Sequence, residues 1–508
     1  MMYIGDYLDR RCVYTPDGEA MIDLGNEPPT RFTFQEMNIR ANRLANWLKS
    51  QGIQKGDRVG MIALDGMHFY DAFFACGKLG AILVPFNWRL HPKEIHELIQ
   101  KTTPKIIFYS TEAEPETIAN YLSEKKDSPS LIPLTGSGNS YEHIITQGNE
   151  KPVTCESLTE NDTAVLLFTG GTTGLPKAAK ISHKQVMWNT MNNLLADILG
   201  TDKYLNVFPL FHAGGLFAFT IPMLILGGTI VQTKSFDPEQ ILHIIEEENI
   251  SIFAGVPTMF QMLINADNWA SSDLSSLRYC MSGGAPMPVP LMQQYNQEKG
   301  VVFRQGFGLT EFGPSVFSLS VKDSEQKAGS IGKPNFFVDA KIENIETKEQ
   351  VLSNETGELL LRGPSVMSGY FENPSATEAV LEDDGYFHTG DLAYKDEEGY
   401  FFIVERLKDM FISGGENVFP AEIEKVLYAH ESVAMCSVIG VNDEKWGDVG
   451  KAFITLKPGK QDDENDILQY LKDNLAKYKV PKSVEILEEM PISGAGKILK
   501  TELRKMVS

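Results

Sequence analysis

A loop of glycines and threonines followed by a lysine is the segment of this chain that best suits phosphate binding. It lies in LLFTGGTTGLPKAAK, Leu166 to Lys180. Glycines let backbone amides approach an anion, hydroxyl groups add donors, and the ammonium of Lys177 adds a point charge. The spacing differs from a GxxxxGK[ST] phosphate loop, and the loop alone fits a phosphate site and a functionless hairpin equally well. Its small residues are Thr169, Gly170, Gly171, Thr172, Thr173 and Gly174.

Three other segments carry side chains that would suit nucleotide chemistry. The pair Thr310-Glu311 stands in RQGFGLTEFGP, and Asp391 stands in YFHTGDLAY. Near the C-terminus, Lys497 follows a glycine in PISGAGKILK. Taken singly, such a pair, a turn aspartate and a loop lysine are more often solvent-exposed than functional. Only their combination indicates a site.

The segments around these residues alternate between helix and strand patterns. FTFQEMNIRANRLANWLKSQG has apolar residues at helical spacing and ends at Gly52, and a short apolar strand follows from Val59 to Leu64. VLLFTGG, ISIFAGVP and VVFRQGFG are apolar runs that each end in a glycine-containing loop. Strands separated by helices predict mainly parallel sheets, in which ligands bind beyond the carboxyl ends of the strands.

The composition changes near residue 400, which predicts a second unit. Before that point, GELLLRG and YFHTGDLAYKDEEGYFFIVERLKD predict short antiparallel strands of a β-subdomain. After it, two helix patterns and two strand patterns predict a small α+β unit. We therefore predict an α/β protein with a large domain of mainly parallel sheets flanked by helices plus the β-subdomain, residues 1–407, and a small α+β domain, residues 408–508.

Bulk composition narrows the function classes. Lys plus Arg is 46 and Asp plus Glu is 68, so the formal net charge is −22, which disfavours nucleic acid as a partner. The five cysteines form no CxxC pattern, and the N-terminus carries no secretory signal pattern, so we expect a cytoplasmic protein with reduced thiols. Tyr204 to Thr233 lacks Asp, Glu, Lys and Arg, but Pro222, His212 and the glycines favour a buried helix and strand over a transmembrane segment.

Together, and in this order, the motifs resemble the adenylate-forming superfamily, which contains acyl-CoA synthetases, luciferases and nonribosomal adenylation domains. The phosphate loop of that family reads roughly YTSGTTGxPKG, and this chain has FTGGTTGLPKA. Gly170 replaces the usual serine, which removes one hydroxyl donor, and Ala178 replaces the usual glycine. PLFHAGG and GFGLTE are similar to the acyl-CoA synthetase branch, since amino-acid activators typically carry FDxS and NAYGPTE.

The resemblance implies roles in binding ATP. Thr310 would contact the α-phosphate, and Glu311 would hold Mg²⁺, a hard cation that prefers oxygen ligands. Asp391 would accept hydrogen bonds from the ribose hydroxyls, and Arg406 would approach the ribose and phosphate. The other implied ATP-binding residues are the loop residues Thr169 to Gly174 with Lys177, the adenine wall Gly283, Gly284 and Ala285 in SGGAP, and Gly306, Phe307 and Gly308.

The resemblance also implies groups that serve coenzyme A. The hinge and the thioester-forming loop of the family resemble the segment VERLKDMFISGGENVFP. The resemblance implies that Lys408 is the hinge between the domains. It also implies that Gly414 and Gly415 line a tunnel for the thiol arm of CoA. Glu405 departs from the family, which usually has glycine before the arginine. Two more residues are implied near CoA, with packing or solvent exposure as equal alternatives, and they are Arg89 and Trp446.

The segment PISGAGKILKTELR resembles the C-terminal catalytic motif of the family. The resemblance implies that Lys497 is the catalytic lysine. A carboxylate that attacks the α-phosphate of ATP meets a repulsion of roughly 4 kcal/mol at 4 Å and an effective dielectric of 20. A lysine between the two anions offsets it. The products are acyl-AMP and pyrophosphate. The mobile small domain then rotates about Lys408, and the thiol of CoA attacks the acyl carbonyl and releases AMP.

The acid is less closely defined than the reaction. His212 in PLFHAGGL resembles a family histidine near the acyl carboxylate, with a core histidine as the alternative. The uncharged stretch Gly214 to Val231 and the surroundings of Phe307 predict an apolar acid, with medium- or long-chain fatty acids ahead of aryl acids. Open alternatives are the loading of a separate carrier protein and a non-catalytic nucleotide- or fatty-acid-binding protein. The resemblance implies a possible homodimer. A long-chain acid as substrate would make peripheral contact with a membrane possible.

Overall fold

The computed structural model describes residues 3–125, 128–136, 140–169, 176–195, 197–285, 287–413, 416–443, 446–493 and 497–507. The strands are β1 Glu19–Asp23, β2 Thr30–Thr33, β3 Arg58–Ile62, β4 Ile82–Pro85, β5 Ile106–Tyr109, β6 Ser130–Pro133, β7 Thr163–Thr169, β8 Lys177–Ser182, β9 Lys203–Asn206, β10 Thr229–Gln232, β11 Ile252–Gly255, β12 Tyr279–Gly283, β13 Phe303–Leu309, β14 Gly313–Leu319, β15 Lys333–Pro334, β16 Asp339–Glu343, β17 Gly357–Arg362, β18 Phe387–Lys395, β19 Phe401–Arg406, β20 Phe411–Ser413, β21 Glu416–Val418, β22 Val433–Asp443, β23 Gly447–Leu456 and β24 Ser483–Ile486.

The helices are α1 Asp6–Cys12, α2 Phe34–Ser50, α3 Met67–Leu79, α4 Pro92–Thr102, α5 Ala113–Ser123, α6 Tyr141–Gln147, α7 His183–Leu194, α8 Thr220–Leu226, α9 Pro238–Glu247, α10 Pro257–Ile264, α11 Val289–Lys299, α12 Val321–Ser324, α13 Pro374–Glu378, α14 Pro420–Tyr428, α15 Glu464–Asn474 and α16 Lys500–Lys505, with a π-helical turn at Gly214–Ala218 before α8.

Two large sheets dominate the first part of the chain. A nine-stranded sheet has the order β15-β14-β13-β12-β11-β9-β10-β1-β2, and a six-stranded sheet has the order β6-β5-β3-β4-β7-β8. Their interior neighbours pair in parallel. The antiparallel pairs lie toward the edges, at β1–β2, β13–β14, β14–β15 and β7–β8. The predicted α/β class with mainly parallel sheets is confirmed.

Helices cover both faces of each large sheet, as the apolar strands require. One core fills the space between the two sheets and includes side chains of α2, α3 and α8. A second core packs α9, α10 and α11 against the outer face of the nine-stranded sheet. A third packs α4 and α5 against the outer face of the six-stranded sheet. The layers therefore alternate helix, sheet, helix, sheet and helix.

Local signals in the sequence explain where these elements begin. In α2, the side chain of Thr33 accepts a hydrogen bond from the backbone of Glu36, whose own side chain accepts one from Thr33, a capping box that starts the predicted helix. Within Tyr204 to Thr233 the structure has the predicted buried helix and strand, α8 and β10. Among the described residues, no helix is long and apolar enough to cross a bilayer.

The last part of the chain forms two smaller sheets. Strands β16 to β19 make a four-stranded antiparallel sheet. Strands β20 to β24 make a five-stranded sheet whose core includes residues of α14 and α15, with α16 packed in an adjoining cluster. Lys408 lies in a turn directly after β19, where the amides of Asp409 and Met410 both donate to the carbonyl of Arg406. The predicted domain boundary falls in this turn.

Candidate active site

The predicted phosphate loop connects two antiparallel strands, β7 and β8. Thr169 pairs in register with Lys177, and its hydroxyl donates to the carbonyl of Lys177 at 3.5 Å. The ammonium of Lys177 lies 4.9 Å from the ring centre of Tyr370. Five predicted loop residues, Gly170 to Gly174, lie outside the described residues. The two ends of the loop are therefore defined by sheet pairing, next to the segment that holds Tyr370.

Glu311 is anchored by Tyr370, a residue that sequence reasoning missed. The Tyr370 hydroxyl donates to Glu311 Oε1 at 2.9 Å, and the Met367 amide donates to the Glu311 carbonyl at 2.7 Å. Burial and the charge of Glu311 raise the pKa of Tyr370 above its ordinary value, so the phenol keeps its proton. None of the described residues donates to Glu311 Oε2. That oxygen is therefore available to a hard cation.

Asp391 and Arg406 form an ion pair across two neighbouring strands. They are register partners on β18 and β19, and Arg406 Nε donates to Asp391 Oδ1 at 2.8 Å. The Asp391 side chain is only 3% exposed, and its Oδ2 is buried without a partner among the described residues. Burial raises the pKa of Asp391, while the charges of Arg406 and Lys497 act to lower it. A buried carboxylate oxygen is costly without a donor, so this atom suits a ligand hydroxyl.

Lys497 reaches the glycines of the predicted adenine wall. A Cβ atom placed on Gly284 would lie 2.9 Å from Lys497 Cε, so the lysine side chain packs directly on the Gly284 backbone. Burial in the cleft, and then the charge of Arg406, lower the pKa of Lys497, although solvent still reaches part of the side chain. The charge of Asp391 acts in the opposite direction. The structure thus places Lys497 against Gly284, within electrostatic reach of Asp391 and Arg406.

The glycine-rich end of β13 lies beside that wall. Gly306 pairs with Gly283 on the neighbouring strand β12. A Cβ atom on Gly308 would lie 2.2 Å from the carbonyl oxygen of Pro314, so no larger residue fits there. The Thr310 carbonyl accepts from the side-chain Nε2 of Gln185 at 3.2 Å, which ties the β13–β14 turn to α7. Three other predicted residues lie on or next to these strand ends, and they are Ala285, Phe307 and Glu311.

His212 stands just before the π-helical turn, with its ring centre 4.7 Å from that of Phe211. Burial, followed by the charges of Lys497 and Arg89, lowers the pKa of His212 to about 4. The imidazole is therefore neutral at pH 7 and can act only through neutral hydrogen bonding or shape. The charge of Lys497 therefore lies within electrostatic reach of His212.

Asp65 is a second residue that sequence reasoning missed. Its buried carboxylate accepts a hydrogen bond from the Leu210 amide at 2.8 Å, which holds the turn before His212. Burial raises the pKa of Asp65 to about 7, while the Leu210 hydrogen bond and the charge of Arg89 oppose the shift. No motif around Asp65 in the sequence signals this contact, because its partner lies in a distant segment.

The residues predicted to meet CoA are spread over two regions. The Arg89 guanidinium stacks on Trp88 at 4.3 Å and on Phe211 at 5.5 Å, so it lies beside the His212 turn. Trp446 lies on the small unit and is 50% exposed. Gly414 and Gly415 lie outside the described residues. The structure does not bring Arg89 and Trp446 into contact.

Comparison with known proteins assigns the chain to a family. A model described as AMP-binding enzyme matches residues 8–371, and a model described as AMP-binding enzyme C-terminal domain matches residues 422–497. The chain belongs to the AMP-binding enzyme family. The two matches fall on either side of the turn at Lys408.

This AMP-binding enzyme is similar to named CoA ligases over its whole length. It is 38% identical over 503 residues to a feruloyl-CoA synthase of Amycolatopsis sp, with 99% of this chain and 98% of the relative covered. It is 33% identical over 517 residues to the long-chain-fatty-acid–CoA ligase FadD13 of Mycobacterium tuberculosis, with 100% of this chain and 99% of the relative covered. Its fold matches the anthranilate CoA ligase AuaEII in complex with anthranoyl-AMP, with a TM-score of 0.91 and 26% identity over 99% of this chain and 97% of that chain.

These similarities confirm the predicted superfamily and its acyl-CoA synthetase branch. The AMP-binding enzyme is an AMP-forming acid–thiol ligase that uses ATP, a carboxylic acid and CoA. The acid itself differs among the relatives, since one is named for an aryl acid and another for long-chain fatty acids.

Proposed function

We propose that this ligase activates an aryl acid and that Lys497 is the catalytic lysine of adenylate formation. The position of Lys497 against Gly284, within electrostatic reach of Arg406 and Asp391, is the observation that carries the proposed role of Lys497. In this position its ammonium would lie between the acid and the α-phosphate. Burial and then the charge of Arg406 lower the pKa of Lys497, and a bound anion would raise it.

The nucleotide would be held by groups built into the strands. Asp391 Oδ2, which has no described partner, would accept from the ribose hydroxyls, and Arg406 would approach the phosphate. Thr310 would contact the α-phosphate from the β13–β14 turn. The loop from Thr169 to Lys177 would hold the other phosphates in line for attack.

Glu311 would hold Mg²⁺ through Oε2, while Tyr370 keeps Oε1 oriented. Among the described residues, no group of three or more His, Cys, Asp or Glu could hold a metal ion. A single carboxylate fits Mg²⁺ nevertheless, because this ion is commonly held by one or two carboxylates together with substrate phosphates. When bound, the ion supplies positive charge that neutralises the phosphates.

The second half-reaction would require the small unit to rotate about the turn at Lys408. Lys497 would leave the cleft, and the face that carries Gly414, Gly415 and Trp446 would approach the acyl-adenylate. The thiol of CoA then attacks the acyl carbonyl, the bond to AMP breaks, and AMP leaves. His212, neutral at pH 7, would border the path of the thiol without adding charge.

The preference for an aryl acid reverses the order expected from sequence, in which fatty acids came first. It is supported by the similarity to feruloyl-CoA synthase, 38% against 33% for the long-chain ligase, and by the fold match to the anthranilate ligase. Aromatic side chains also lie in the segments predicted to meet the acid. The ring centres of Phe307 and Phe317 lie 5.8 Å apart in an edge-to-face contact, and Phe211 adjoins His212. Aromatic side chains in these segments would suit an aromatic ligand.

The test is AMP release from ATP and Mg²⁺ over matched acids, each with and without CoA. Cinnamate and nonanoate share a carbon count, and ferulate, anthranilate and palmitate extend each class. Higher CoA-dependent kcat/KM for the aryl acids supports the proposal, and higher values for nonanoate or palmitate overturn its substrate class. Pyrophosphate exchange without CoA-dependent turnover would instead indicate a carrier-protein acceptor.

A further inference from the structure

Glu405 is a buried carboxylate in β19, the last strand of the large unit (the part of the chain before the turn at Lys408), one residue before Arg406. Consecutive strand residues face opposite sides of a sheet. Arg406 therefore faces Asp391, and Glu405 faces away from the nucleotide site. Its side chain is almost fully enclosed, with 7% of the residue exposed. A carboxylate in such a place needs donors, because burial without them is costly.

The donors come from both sides of the turn at Lys408. Glu405 Oε1 accepts from the amide of Arg406 at 2.9 Å, and Oε2 accepts from the amide of Ala421 at 2.8 Å. Ala421 lies in the first turn of α14, a helix of the small unit that begins with Pro420. An anion at a helix N-terminus is stabilised by the free amides and by the helix dipole. The carboxylate therefore joins the end of β19 to the start of α14.

The same carboxylate also lies within electrostatic reach of the segment that carries Lys497. The charge of Lys500 acts on Glu405 and opposes the rise in pKa that burial causes. Lys500 in turn pairs with Glu424 of α14, with Nζ 3.0 Å from Oε1. Lys500 is three residues after Lys497. The Glu405 region thus lies where α14 and the C-terminal segment meet the last strand of the large unit.

We propose that Glu405 is a positioning residue that holds the small unit in the orientation in which Lys497 lies in the cleft. Its side chain faces away from the predicted nucleotide site and acts through its hydrogen bond to Ala421. Rotation of the small unit would break the Ala421 hydrogen bond, so the contact favours adenylate formation over thioester formation. This inference rests on the proposed role of Lys497.

The test separates the two half-reactions in Glu405→Gln. The substitution keeps the shape but removes the charge that the Ala421 amide stabilises. Acid-dependent ATP–pyrophosphate exchange should fall about tenfold in kcat, with the KM for ATP unchanged, as expected for a weakened charge-assisted hydrogen bond. Thioester formation from synthetic acyl-adenylate and CoA should be unchanged or faster. Equal loss in both half-reactions, or unchanged exchange, overturns the proposal.

Glu422→Gln is the matched control. Glu422 lies on the same helix but pairs with Lys479 inside the small unit, so its loss removes an ion pair without crossing the turn. Exchange should stay within about twofold of the parent protein, as for a partly exposed ion pair. A fall equal to that of Glu405→Gln would mean that α14 is merely destabilised.

Hydrogen exchange gives a readout that does not depend on activity. The Ala421 amide should exchange faster in Glu405→Gln and Glu405→Ala than in Glu422→Gln, measured on a peptide covering residues 419–428. Unchanged protection of this amide contradicts the proposal, even if Glu405→Ala folds poorly. Lys497→Ala run in parallel separates the two proposals: if it retains pyrophosphate exchange, the role of Lys497 fails regardless of the Glu405 result.

Discussion

The two halves of the candidate site are held in different ways. In the large unit, Asp391 and Arg406 are register partners on adjacent strands, and Glu311 is anchored by Tyr370. In the small unit, Lys497 lies on a loop before α16 and meets the large unit at the backbone of Gly284. Paired strands keep the binding groups in place throughout a reaction. A loop on a separate unit can deliver its lysine and also withdraw it.

Lys497→Ala is the strongest test of this contrast between groups fixed on strands and a lysine on a loop of the small unit. If the lysine serves only adenylate formation, pyrophosphate exchange should fall by roughly 100- to 1,000-fold, the range for removing one preorganised electrostatic group. Thioester formation from synthetic acyl-adenylate should change little. Single-turnover assays of the two steps measure both effects. Equal loss of adenylate formation and thioester formation would mean that Lys497 does not serve adenylate formation alone.

Asp391→Asn tests the fixed half of the site. We expect the KM for ATP to rise by roughly 10- to 100-fold, because a carboxylate that accepts charge-assisted hydrogen bonds is replaced by a neutral amide. Unlike Lys497→Ala, this change should weaken ATP binding itself, which calorimetry measures directly. ATP affinity equal to that of the parent protein would remove Asp391 from the ribose site.

Gly284→Ala probes the meeting point of the two halves. Its φ is +78°, and a Cβ atom would lie 2.9 Å from Lys497 Cε, so the lysine must move. We expect adenylate formation to fall about tenfold, within the loss that a 1 Å misplacement of a catalytic group can cause.

Gly300→Ala is the control for that substitution. Its φ is +68°, and a Cβ atom there meets nothing within 4 Å, so it carries the backbone strain alone. Both variants should lose about 1 kcal/mol of the free energy of unfolding. Only Gly284→Ala should slow adenylate formation, and equal activities would show that Lys497 does not depend on this contact.

Tyr370→Phe should give the smallest effect. It removes the donor to Glu311 Oε1 but leaves the carboxylate in place. A neutral donor contributes about 0.5–1.5 kcal/mol, so the Mg²⁺ concentration for half-maximal activity should rise roughly two- to tenfold. Titration with Mg²⁺ at saturating ATP measures it. An unchanged requirement would separate Glu311 from the metal.

Much of the fold could be predicted from local patterns. The helical spacing before Gly52 predicts a helix, and α2 runs from Phe34 to Ser50. The apolar runs before the glycine-containing loops are strands β7, β11 and β13. These predictions succeed because periodicity and capping residues act within a few residues of each other. The strand order of the sheets could not be derived this way.

The site was predicted less completely. Lys497, Asp391 and Glu311 stand in ordered motifs, but Tyr370 and Asp65 do not, and both make their contacts with distant segments. In the sequence, Glu405 stands out only as a departure from the family pattern, and nothing there predicts its partner. Its hydrogen bond to Ala421 crosses a turn between two units, and such a contact has no local signature.

The sequence by itself determined which chemical groups are present, their order along the chain and the helices and strands that carry them. Only the tertiary structure decided that Lys497 rests on Gly284, that Asp391 Oδ2 is buried without a described partner, and that the pKa of His212 falls to about 4. The physical reason is the distance along the chain over which each effect acts. Backbone preferences are set by neighbouring residues, whereas burial, charge and contact across the cleft depend on segments that meet only after the sheets and the small unit have packed.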